Sequence, residues 1–470
     1  MLKTPQGPTR VVADRGDRPQ RQGRERRPRP AKPRGSTNQR DRLIAAIVAA
    51  VGANGYGQAR VGDIAKRAGV SRATFYELFN DKQDCFVAAH LEYAPQLRRE
   101  VQGAIDANAA QPVSAAIGSL VAFAAREPDK FAFLTHHAML AGPAAGAQRD
   151  ALFEQLERLL GRATAETPPD RPVPAVPVAM LLSGSVWTLN VRIRRGESFT
   201  AQLAAELSAW AALYDAPSPE ARRALRDTKP NNAEQPADVT AIAQLAPQPL
   251  PRGRHRLPPD VVKRVQRERI IHATASTISA KGYEQSTVAD IVAAAGLSRE
   301  AFYQHFADKH AALIQASRHY FGQVMAVVAA AYFASPERWP ERVWRAGVAL
   351  TGVIAGAPAF AHLTFVDAYA PGTATARQID ELFLGFTIFL EDGYRYRDGT
   401  TMLPRTVSEA VVGAIVELTV DMVRKDRARD VVSLMPTAGF TILAPFIGVT
   451  DAHAVVGAHR KARTVGDDRS

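Results

Sequence analysis

Apolar residues recur at three- and four-residue spacing along most of this chain, with glycine and proline between the runs. That period places side chains on one face of a helix, whereas strands alternate apolar and polar positions. No segment sustains such alternation, so we predict an all-α fold. The first predicted helix, over 40–53, is marked by Leu43, Ile44, Ile47, Val48 and Val51.

Two short helices with a glycine turn between them follow this first helix. Val61 and Ile64 lie on one face of the earlier helix, and Gly69 ends it, because glycine adopts the left-handed backbone common at helix C-termini. Ser71 stands where an N-cap residue belongs, ahead of a second helix that contains Phe75. Helix, tight turn, helix is the helix-turn-helix arrangement, whose second helix can enter a DNA major groove.

The same block of sequence occurs twice in the chain. Residues 40–82 align with 267–309 without a gap, and 20 of the 43 positions are identical. Fainter matches, such as Phe131 with Phe360, continue the repeat beyond this block, with the offset drifting from 227 to 230. A repeat as long as a domain indicates two related units joined head to tail.

Both copies share one gap-free motif. Its residues are Gly55-Tyr56, Ala68-Gly69-Val70-Ser71, Phe75-Tyr76 and Lys82 in the first copy, and Gly282-Tyr283, Ala295-Gly296-Leu297-Ser298, Phe302-Tyr303 and Lys309 in the second. This motif resembles the DNA-binding region of the TetR family of transcriptional regulators. The resemblance implies that each unit has an N-terminal three-helix helix-turn-helix domain and a C-terminal helical bundle for ligand binding and dimerisation.

The repeat and the resemblance together predict the domain order. We expect a disordered basic arm at 1–39, a helix-turn-helix domain at 40–85, a C-terminal helical domain at 86–217, a linker at 218–260, a second helix-turn-helix domain at 261–312, a second helical domain at 313–455 and a tail at 456–470. The linker prediction rests on its proline and polar content. The arm has too few apolar residues to order itself.

The resemblance also implies which residues contact DNA, with the recognition-helix N-terminus facing bases and nearby Tyr and Lys facing phosphate. These residues are Arg72, Ala73, Thr74, Tyr76 and Lys82 in the first copy and Arg299, Glu300, Ala301, Tyr303, His305 and Lys309 in the second. The copies differ at two positions of this motif. The first copy has Arg60 where the second has Thr287, which is a better N-cap residue. The first copy also has Leu78 where the second has His305. The two copies should then read different bases, or one should read weakly.

The resemblance further implies a bundle of the last two long helices of each unit and a ligand pocket between helices. The bundle helices are expected at Val178–Arg195 and Thr200–Tyr214, and at Glu409–Arg424 and Val431–Leu443, with interface knobs Leu181, Leu182, Val186, Leu189, Val412, Ile415, Val416 and Val420. The pocket residues are expected to be Phe123, Phe133, His136, Met139, Trp187, Trp344, Phe365, Tyr369 and Phe386. Aromatic residues at helical spacing also fit a plain core, so both interpretations stay open.

The chain is strongly basic and the charge is concentrated at its start. It carries a formal net charge of +12, and residues 1–40 hold twelve Lys and Arg against three Asp and Glu. Such an arm can lie along DNA phosphates, or it can be a solvated leader that attracts any polyanion. Residues 172–191 are uncharged, but Pro172, Pro174 and Pro177 leave fewer helical residues than the ~20 that a membrane span needs.

A cytoplasmic protein without catalytic, cofactor or metal sites is expected. Cys85 is the single cysteine, so no intramolecular disulfide can form, and no signal peptide is apparent. His136-His137 is the only adjacent histidine pair, and neither Cys nor a carboxylate stands at ligand spacing around it.

We therefore expect a sequence-specific regulator, a ligand-responsive repressor that binds a double-stranded DNA operator and a small apolar or aromatic effector. Its two units would pack as a covalent pseudo-dimer, or each would pair with its equivalent in a second chain. Alternatively, the chain is a small-molecule sensor or protein-interaction module in which one helix-turn-helix, the first copy being the candidate, has lost DNA binding.

Overall fold

The computed structural model describes residues 34–168, 173–216, 258–334, 338–396 and 403–467. We call 34–216 lobe 1 and 258–467 lobe 2, each taken over its described residues. The arm at 1–33 and most of the predicted linker, 217–257, lie outside the described residues. Within the described ranges the chain is helical nearly throughout, which confirms the all-α prediction.

Lobe 1 contains ten helices in its described residues. They are α1 (Arg34–Asn54), α2 (Val61–Ala68), α3 (Arg72–Leu78), α4 (Lys82–Ala107), α5 (Pro112–Arg126), α6 (Pro128–Ala132), α7 (Ala138–Leu140), α8 (Pro143–Ala165), α9 (Val178–Arg195) and α10 (Ala201–Ala212). A single π-helical turn, Phe133–His137, joins α6 to α7. Prolines in the first turn of α5, α6 and α8 suit helix starts, because the first backbone N–H groups have no intrahelical partner.

Lobe 2 also contains ten helices in its described residues, because it has a 3₁₀ turn at the place of α7 and one further helix at its end. Its helices are α11 (Pro259–Lys281), α12 (Val288–Ala295), α13 (Arg299–His305), α14 (Lys309–Phe333), α15 (Trp339–Gly356), α16 (Pro358–Phe365), α17 (Thr373–Leu384), α18 (Arg405–Arg424), α19 (Met435–Ile447) and α20 (Val449–Asp467). Tight 3₁₀ turns cover Asp367–Tyr369, Gly385–Arg395 and Ala428–Leu434. Helix α20 has no counterpart among the described residues of lobe 1.

The strand content of the described residues is one two-residue pairing in lobe 1. Strand β1 (Val173–Pro174) lies antiparallel to β2 (Asp215–Ala216). The pairing joins the segment before α9 to the end of α10, so it fastens the ends of the two bundle helices.

Several element boundaries differ from the sequence prediction. Helix α1 begins at Arg34, so 34–39 are helical rather than part of the arm. Helix α20 extends to Asp467, through most of the predicted tail. Helices α4 and α14 run without a break across the predicted domain borders, because no glycine or proline interrupts either helix there. Each helix-turn-helix domain is therefore rigidly continuous with the helical domain that follows it.

Helices α9 and α18 pack directly against each other and join the two lobes. Their closest approach uses small residues, since a Cβ on Gly184 would lie 2.5 Å from the Ala410 carbonyl oxygen and one on Gly413 would lie 2.5 Å from the Trp187 ring. Val412 and Ile415, two of the predicted interface knobs, line the cavity of lobe 2, and their role at the interface stays a prediction.

One helical stretch in the described residues is long and apolar enough to cross a membrane by composition alone. This stretch, Ala428–Ile447, joins the last 3₁₀ turn to α19, and 56% of its apolar window is buried inside the fold. Core helices of water-soluble domains meet the same criterion, so the stretch is accounted for by the packing of α19 against α15 and α20.

Candidate nucleic-acid interface and internal cavity

The first helix-turn-helix is formed by α2 and α3. Gly69 ends α2 with φ of 64°, in the left-handed region that favours glycine. Ser71 then caps α3, its Oγ accepting a hydrogen bond of 3.0 Å from the Thr74 backbone N–H. Phe75, one turn into α3, is fully buried and fixes the helix against its neighbours. The opposite side of α3 is consequently held toward solvent.

The second helix-turn-helix repeats this construction and adds a cap. Gly296 has φ of 61°, and Ser298 Oγ accepts from the Ala301 N–H at 3.1 Å. Thr287 and Asp290 form a reciprocal capping box at the start of α12. In the first copy Arg60 makes no side-chain cap at the start of α2. The predicted difference between the two caps is therefore confirmed.

The residues proposed to read bases lie on the outer surface of both recognition helices. Arg72, Ala73, Arg299 and Glu300 are exposed, whereas Thr74, Ala301 and His305 are half-buried. In the first copy the Arg72 guanidinium lies over α2, where a Cβ on Gly62 would meet it at 2.3 Å. In the second copy His305 Nε2 lies 3.3 Å from Gln266 Oε1, and burial followed by the charge of Arg267 lowers its pKa.

Tyr76 and Tyr303 are the most exposed aromatic residues of the two recognition helices. Their side chains are 57% and 52% exposed, although tyrosine usually buries most of its ring. Each ring makes a T-shaped contact with the preceding phenylalanine, Phe75 or Phe302. Two equivalent aromatic residues held outward at the same position suit contact with a partner.

Lys82 and Lys309 hold the turn that follows the first helix of each unit. Lys82 Nζ donates to the Tyr56 carbonyl at 2.8 Å and lies 4.0 Å from the centre of the Tyr56 ring. Lys309 makes the same two contacts with Tyr283, at 2.6 Å and 4.0 Å. Burial lowers the pKa of each ammonium. These contacts explain why both copies need a lysine, and the predicted phosphate contacts remain a prediction.

The two helix-turn-helix domains meet each other at equivalent positions. A Cβ on Gly57 would lie 2.3 Å from Glu284 Oε1, and 57 and 284 are the same position in the two repeats. The end of α1 also touches lobe 2, because a Cβ on Gly55 would lie 2.9 Å from the Gly372 Cα. Position 57 therefore lies where the two domains touch, and glycine there makes room for the glutamate of the other copy.

Lobe 2 contains a partly open, apolar cavity of about 100 Å³ between α14, α15, α16, α17 and α18. The described lining residues are all uncharged, and Thr364 and Thr419 are the polar side chains among them. The aromatic part of the lining consists of Phe321, Phe360, Phe365, Phe383, Phe386 and Phe389. A dry, apolar site of this kind suits a small hydrophobic molecule.

The predicted pocket residues separate into four places. Phe365 and Phe386 line the cavity of lobe 2. Four others, His136, Met139, Trp187 and Tyr369, come together with Phe365 at the junction of the lobes. Phe123 and Phe133 are fully buried in the core of lobe 1, and Trp344 stacks on His459 outside the cavity. Ligand binding by any of them remains a prediction.

The junction of the lobes contains ion pairs that sequence reasoning missed. Arg149 Nη2 donates to Glu417 Oε2 at 2.6 Å, and both side chains are only 5% exposed. Burial raises the pKa of Glu417, and the Arg149 charge opposes this shift. Arg194 forms a two-bond contact with Asp380, at 2.6 and 2.9 Å. Asp150 and Asp380 occupy the same position in the two repeats, which was visible in the sequence. Which arginines of the opposite lobe they contact became visible only in the fold.

Bidentate contact between Arg424 and Asp150 completes the set, with distances of 2.6 and 2.7 Å. Burial acts to raise the pKa of Asp150, but the hydrogen bond and charge of Arg424 outweigh it and lower the pKa. Each lobe thus contributes at least one arginine that pairs with a carboxylate of the other lobe.

The sequence model of the bacterial regulatory proteins of the tetR family matches residues 43–89 and again residues 270–316. The chain holds two tetR-family units in tandem. Each match covers the helix-turn-helix of one lobe and the start of the long helix that follows it.

Relatives and solved structures similar to this tandem tetR-family chain were also found. This chain is 37% identical over 60 residues to the uncharacterized HTH-type transcriptional regulator YerO of Bacillus subtilis (strain 168). The matched segment is 13% of this chain and about a fifth (21%) of that relative. The fatty acid degradation regulator FadR from Bacillus halodurans is 19% identical, covering 40% of this chain and 97% of its own, with a TM-score of 0.35. FadR from Bacillus subtilis, solved in complex with stearoyl-CoA, is 19% identical. That match covers 37% of this chain and 96% of the FadR chain, with a TM-score of 0.34.

Proposed function

We propose that this chain is a cytoplasmic, sequence-specific DNA-binding transcriptional regulator. Its two lobes act as one covalent pseudo-dimer, and an apolar effector in lobe 2 releases it from its operator. The tandem tetR-family domains carry the DNA-binding part of the proposal. The exposed Tyr76 and Tyr303 support it, because they sit where phosphate contacts would position the recognition helices.

The one-sided ion pair at the junction of the lobes supports pairing of lobe 1 with lobe 2. Arg149 pairs with Glu417, whereas the equivalent positions in the repeat are Ile379 and Thr188. If lobe 1 paired with a second lobe 1, Arg149 would face threonine. If lobe 2 paired with itself, Glu417 would face isoleucine. Pairing of lobe 2 with itself would bury an unpaired carboxylate twice, and each such loss costs about 3–5 kcal/mol. Pairing of lobe 1 with itself would leave each Arg149 with only its longer ion-pair contact to Asp150, at 3.9 Å.

Contacts of the cavity wall support a route from the effector to both helix-turn-helix domains. Helix α16, which carries Thr364 and Phe365, packs on α11, and Ser279 Oγ donates to the Ala359 carbonyl at 2.6 Å. The segment that follows α16 reaches the first helix-turn-helix through Gly372 and Gly55. An effector that displaces α16 would therefore change how far apart the two recognition helices stand, which is how it would release DNA.

Solution mass and a DNA footprint test the proposal together. The intact chain should have the mass of one chain and should protect one asymmetric site selected from random DNA. The Tyr76→Ala variant should lose protection in one half of the site and Tyr303→Ala in the other. A particle of two chains that protects a symmetric site would instead indicate pairing of equivalent lobes.

The alternative function is a small-molecule sensor or protein-interaction module in which one helix-turn-helix, the first being the candidate, has lost DNA binding. The missing cap at Arg60 favours it, since α2 then begins without a side-chain hydrogen bond. In that case Tyr76→Ala would leave the footprint unchanged, whereas Tyr303→Ala would abolish it.

A further inference from the structure

Two equivalent threonines in the repeat have different surroundings. In lobe 1, Thr135 Oγ1 donates to the Phe131 carbonyl at 2.7 Å and accepts from Asn190 Nδ2 at 2.9 Å. Asn190 also donates to the Val186 carbonyl at 3.0 Å. The polar atoms of this buried pair are therefore satisfied inside lobe 1.

In lobe 2 the equivalent threonine is Thr364, and the residue equivalent to Asn190 is Thr419. Thr419 Oγ1 donates to the carbonyl of Ile415 in its own helix at 2.8 Å. Within the described part of the chain, Thr364 Oγ1 is buried without a hydrogen-bond partner. The side chain is 3% exposed, so bulk water does not reach it.

An unpaired buried hydroxyl is unusual, because leaving water without a new partner is unfavourable. Other buried threonines of this chain solve the problem within their own helix, as Thr274, Thr351 and Thr441 do by donating to the carbonyl four residues earlier. Thr364 does not. In the described part of the chain the hydroxyls of Ser185, Ser317 and Thr373 are also buried without a partner, but of these four residues Thr364 is the one that lines the cavity. A water molecule needs two to four polar partners, and the described lining offers few besides the two threonines.

We propose that Thr364 is the specificity-determining contact of the lobe 2 cavity. Its hydroxyl forms one hydrogen bond with an uncharged polar group on an otherwise apolar effector about the size of one substituted ring. Helical threonine populates two χ1 rotamers, so the hydroxyl can turn toward a bound molecule. This inference rests on the proposed function of the cavity.

The size and charge of the effector follow from the same cavity. An apolar cavity of roughly 150 Å³ in another protein binds benzene, so about 100 Å³ admits a single ring after small side-chain movements. None of the described lining residues is charged. A charged effector group would therefore be buried without a counter-ion, which is strongly unfavourable.

Phenol and toluene are matched probes for this hydroxyl, because they have nearly the same shape and differ in one polar group. Binding of each to the full chain is measured by calorimetry in the wild type and in Thr364→Val, which keeps the shape of the side chain. A purely apolar cavity would favour toluene, since phenol loses its hydrogen bond to water. We expect the wild type to bind phenol at least as tightly as toluene.

Thr364→Val should weaken phenol binding roughly tenfold while toluene binding stays within about twofold. Thr364→Ser keeps the hydroxyl and should retain phenol binding. Thr351→Val removes a hydroxyl that is bonded within α15 and should change neither affinity. Val412→Phe fills the cavity and should abolish both. Thr364→Ala provides the same comparison if the valine variant does not fold.

The outcomes separate this inference from the proposed function. If toluene binds and phenol does not, or if Thr364→Val leaves phenol affinity unchanged, the role of Thr364 is wrong while the apolar effector site stands. If neither probe binds the wild type, or if Val412→Phe leaves binding intact, the cavity is not the effector site and both proposals fail.

Discussion

Lobe 1 and lobe 2 share one block of sequence but differ in how their interiors are filled. In lobe 1 the Phe86 and Phe133 rings stack with their centres 3.9 Å apart, and Thr135 is hydrogen-bonded to Asn190. In lobe 2 the equivalent of Asn190 is Thr419, and a cavity of about 100 Å³ remains. A dimer of identical chains must carry every substitution twice. A tandem chain can fill this region of one lobe and leave a cavity at the equivalent place in the other.

The same comparison applies to the helix-turn-helix domains. Gly57 and Glu284 occupy one position of the repeat and meet where the two domains touch. Two glutamates there would repel each other, because like charges in close contact disfavour association. The difference between the copies therefore suits pairing of unlike domains better than pairing of two second domains.

Breaking the buried pair between the lobes should have the largest effect. Arg149→Met leaves the Glu417 carboxylate buried without its partner, so the free energy of unfolding should fall by about 3–5 kcal/mol. Equilibrium denaturation of the full chain measures this. Replacing both residues by methionine should recover most of the loss, because no unpaired charge then remains.

Arg126 offers a matched control for that experiment. It forms a two-bond contact with Glu100 on the surface of lobe 1, where the arginine side chain is 51% exposed. Arg126→Met should cost only about 0–1 kcal/mol. A loss for Arg149→Met no greater than for this control would mean that the two lobes are not held by the buried pair.

The sequence predicted the helix-turn-helix well and the interior poorly, for physical reasons. Gly69, Ser71 and Phe75 act through local geometry, so their spacing alone located the turn, the cap and the buried face. The cavity depends on which side chains fail to fill a volume, and that is a property of packing between distant segments. The Arg149–Glu417 pair joins residues 268 positions apart, and no periodicity reports such a contact.

Exchanging the base-reading residues should sharpen the comparison of the two recognition helices. Replacing Glu300-Ala301 by Ala-Thr gives the second copy the side chains of Ala73-Thr74. Glutamate can accept from cytosine N4, so the preferred half-site should change by roughly 1–3 kcal/mol per base pair discriminated. Selection from random DNA measures this. The reverse exchange in the first copy is the matched control, and an unchanged motif in both would contradict base contact by these residues.

Removing one tyrosine hydroxyl from each copy should have a smaller effect. If Tyr76 and Tyr303 contact phosphate, Tyr76→Phe and Tyr303→Phe should each weaken DNA binding by about 1.5 kcal/mol, because the lost hydrogen bond has a charged acceptor. The side chains are exposed, so stability should not change. Fluorescence anisotropy with thermal unfolding measures both quantities. Loss of affinity in only one variant would identify the copy that does not bind.

Lysine variants separate DNA contact from folding. Lys82→Ala and Lys309→Ala should each reduce the salt dependence of binding by about one if the ammonium also reaches phosphate. Both should lower stability as well, because each ammonium holds a tyrosine carbonyl. Lower stability with an unchanged salt slope would show that these lysines are structural only.

The smallest effect should come from the cap that distinguishes the two copies. Arg60→Thr introduces the hydroxyl that Thr287 provides in the second copy, and it should stabilise the first helix-turn-helix by about 0.5–1 kcal/mol. Thr287→Ala should destabilise the second by a similar amount. Amide hydrogen exchange measures both, since it reports α2 and α12 separately.

The pH dependence of stability provides an independent test of the capping box that Asp290 forms with Thr287 at the start of α12. Hydrogen bonds from Lys281 and then Thr287 lower the pKa of Asp290 to about 2. Because folding lowers this pKa, the stabilisation is complete above the usual aspartate value of ~3.9 and is lost as the pH falls through about 2. Exchange of α12 amides should therefore accelerate between these pH values relative to α2, after correction for intrinsic exchange rates. Equal acceleration in the two helices would mean that the capping box does not distinguish the copies in solution.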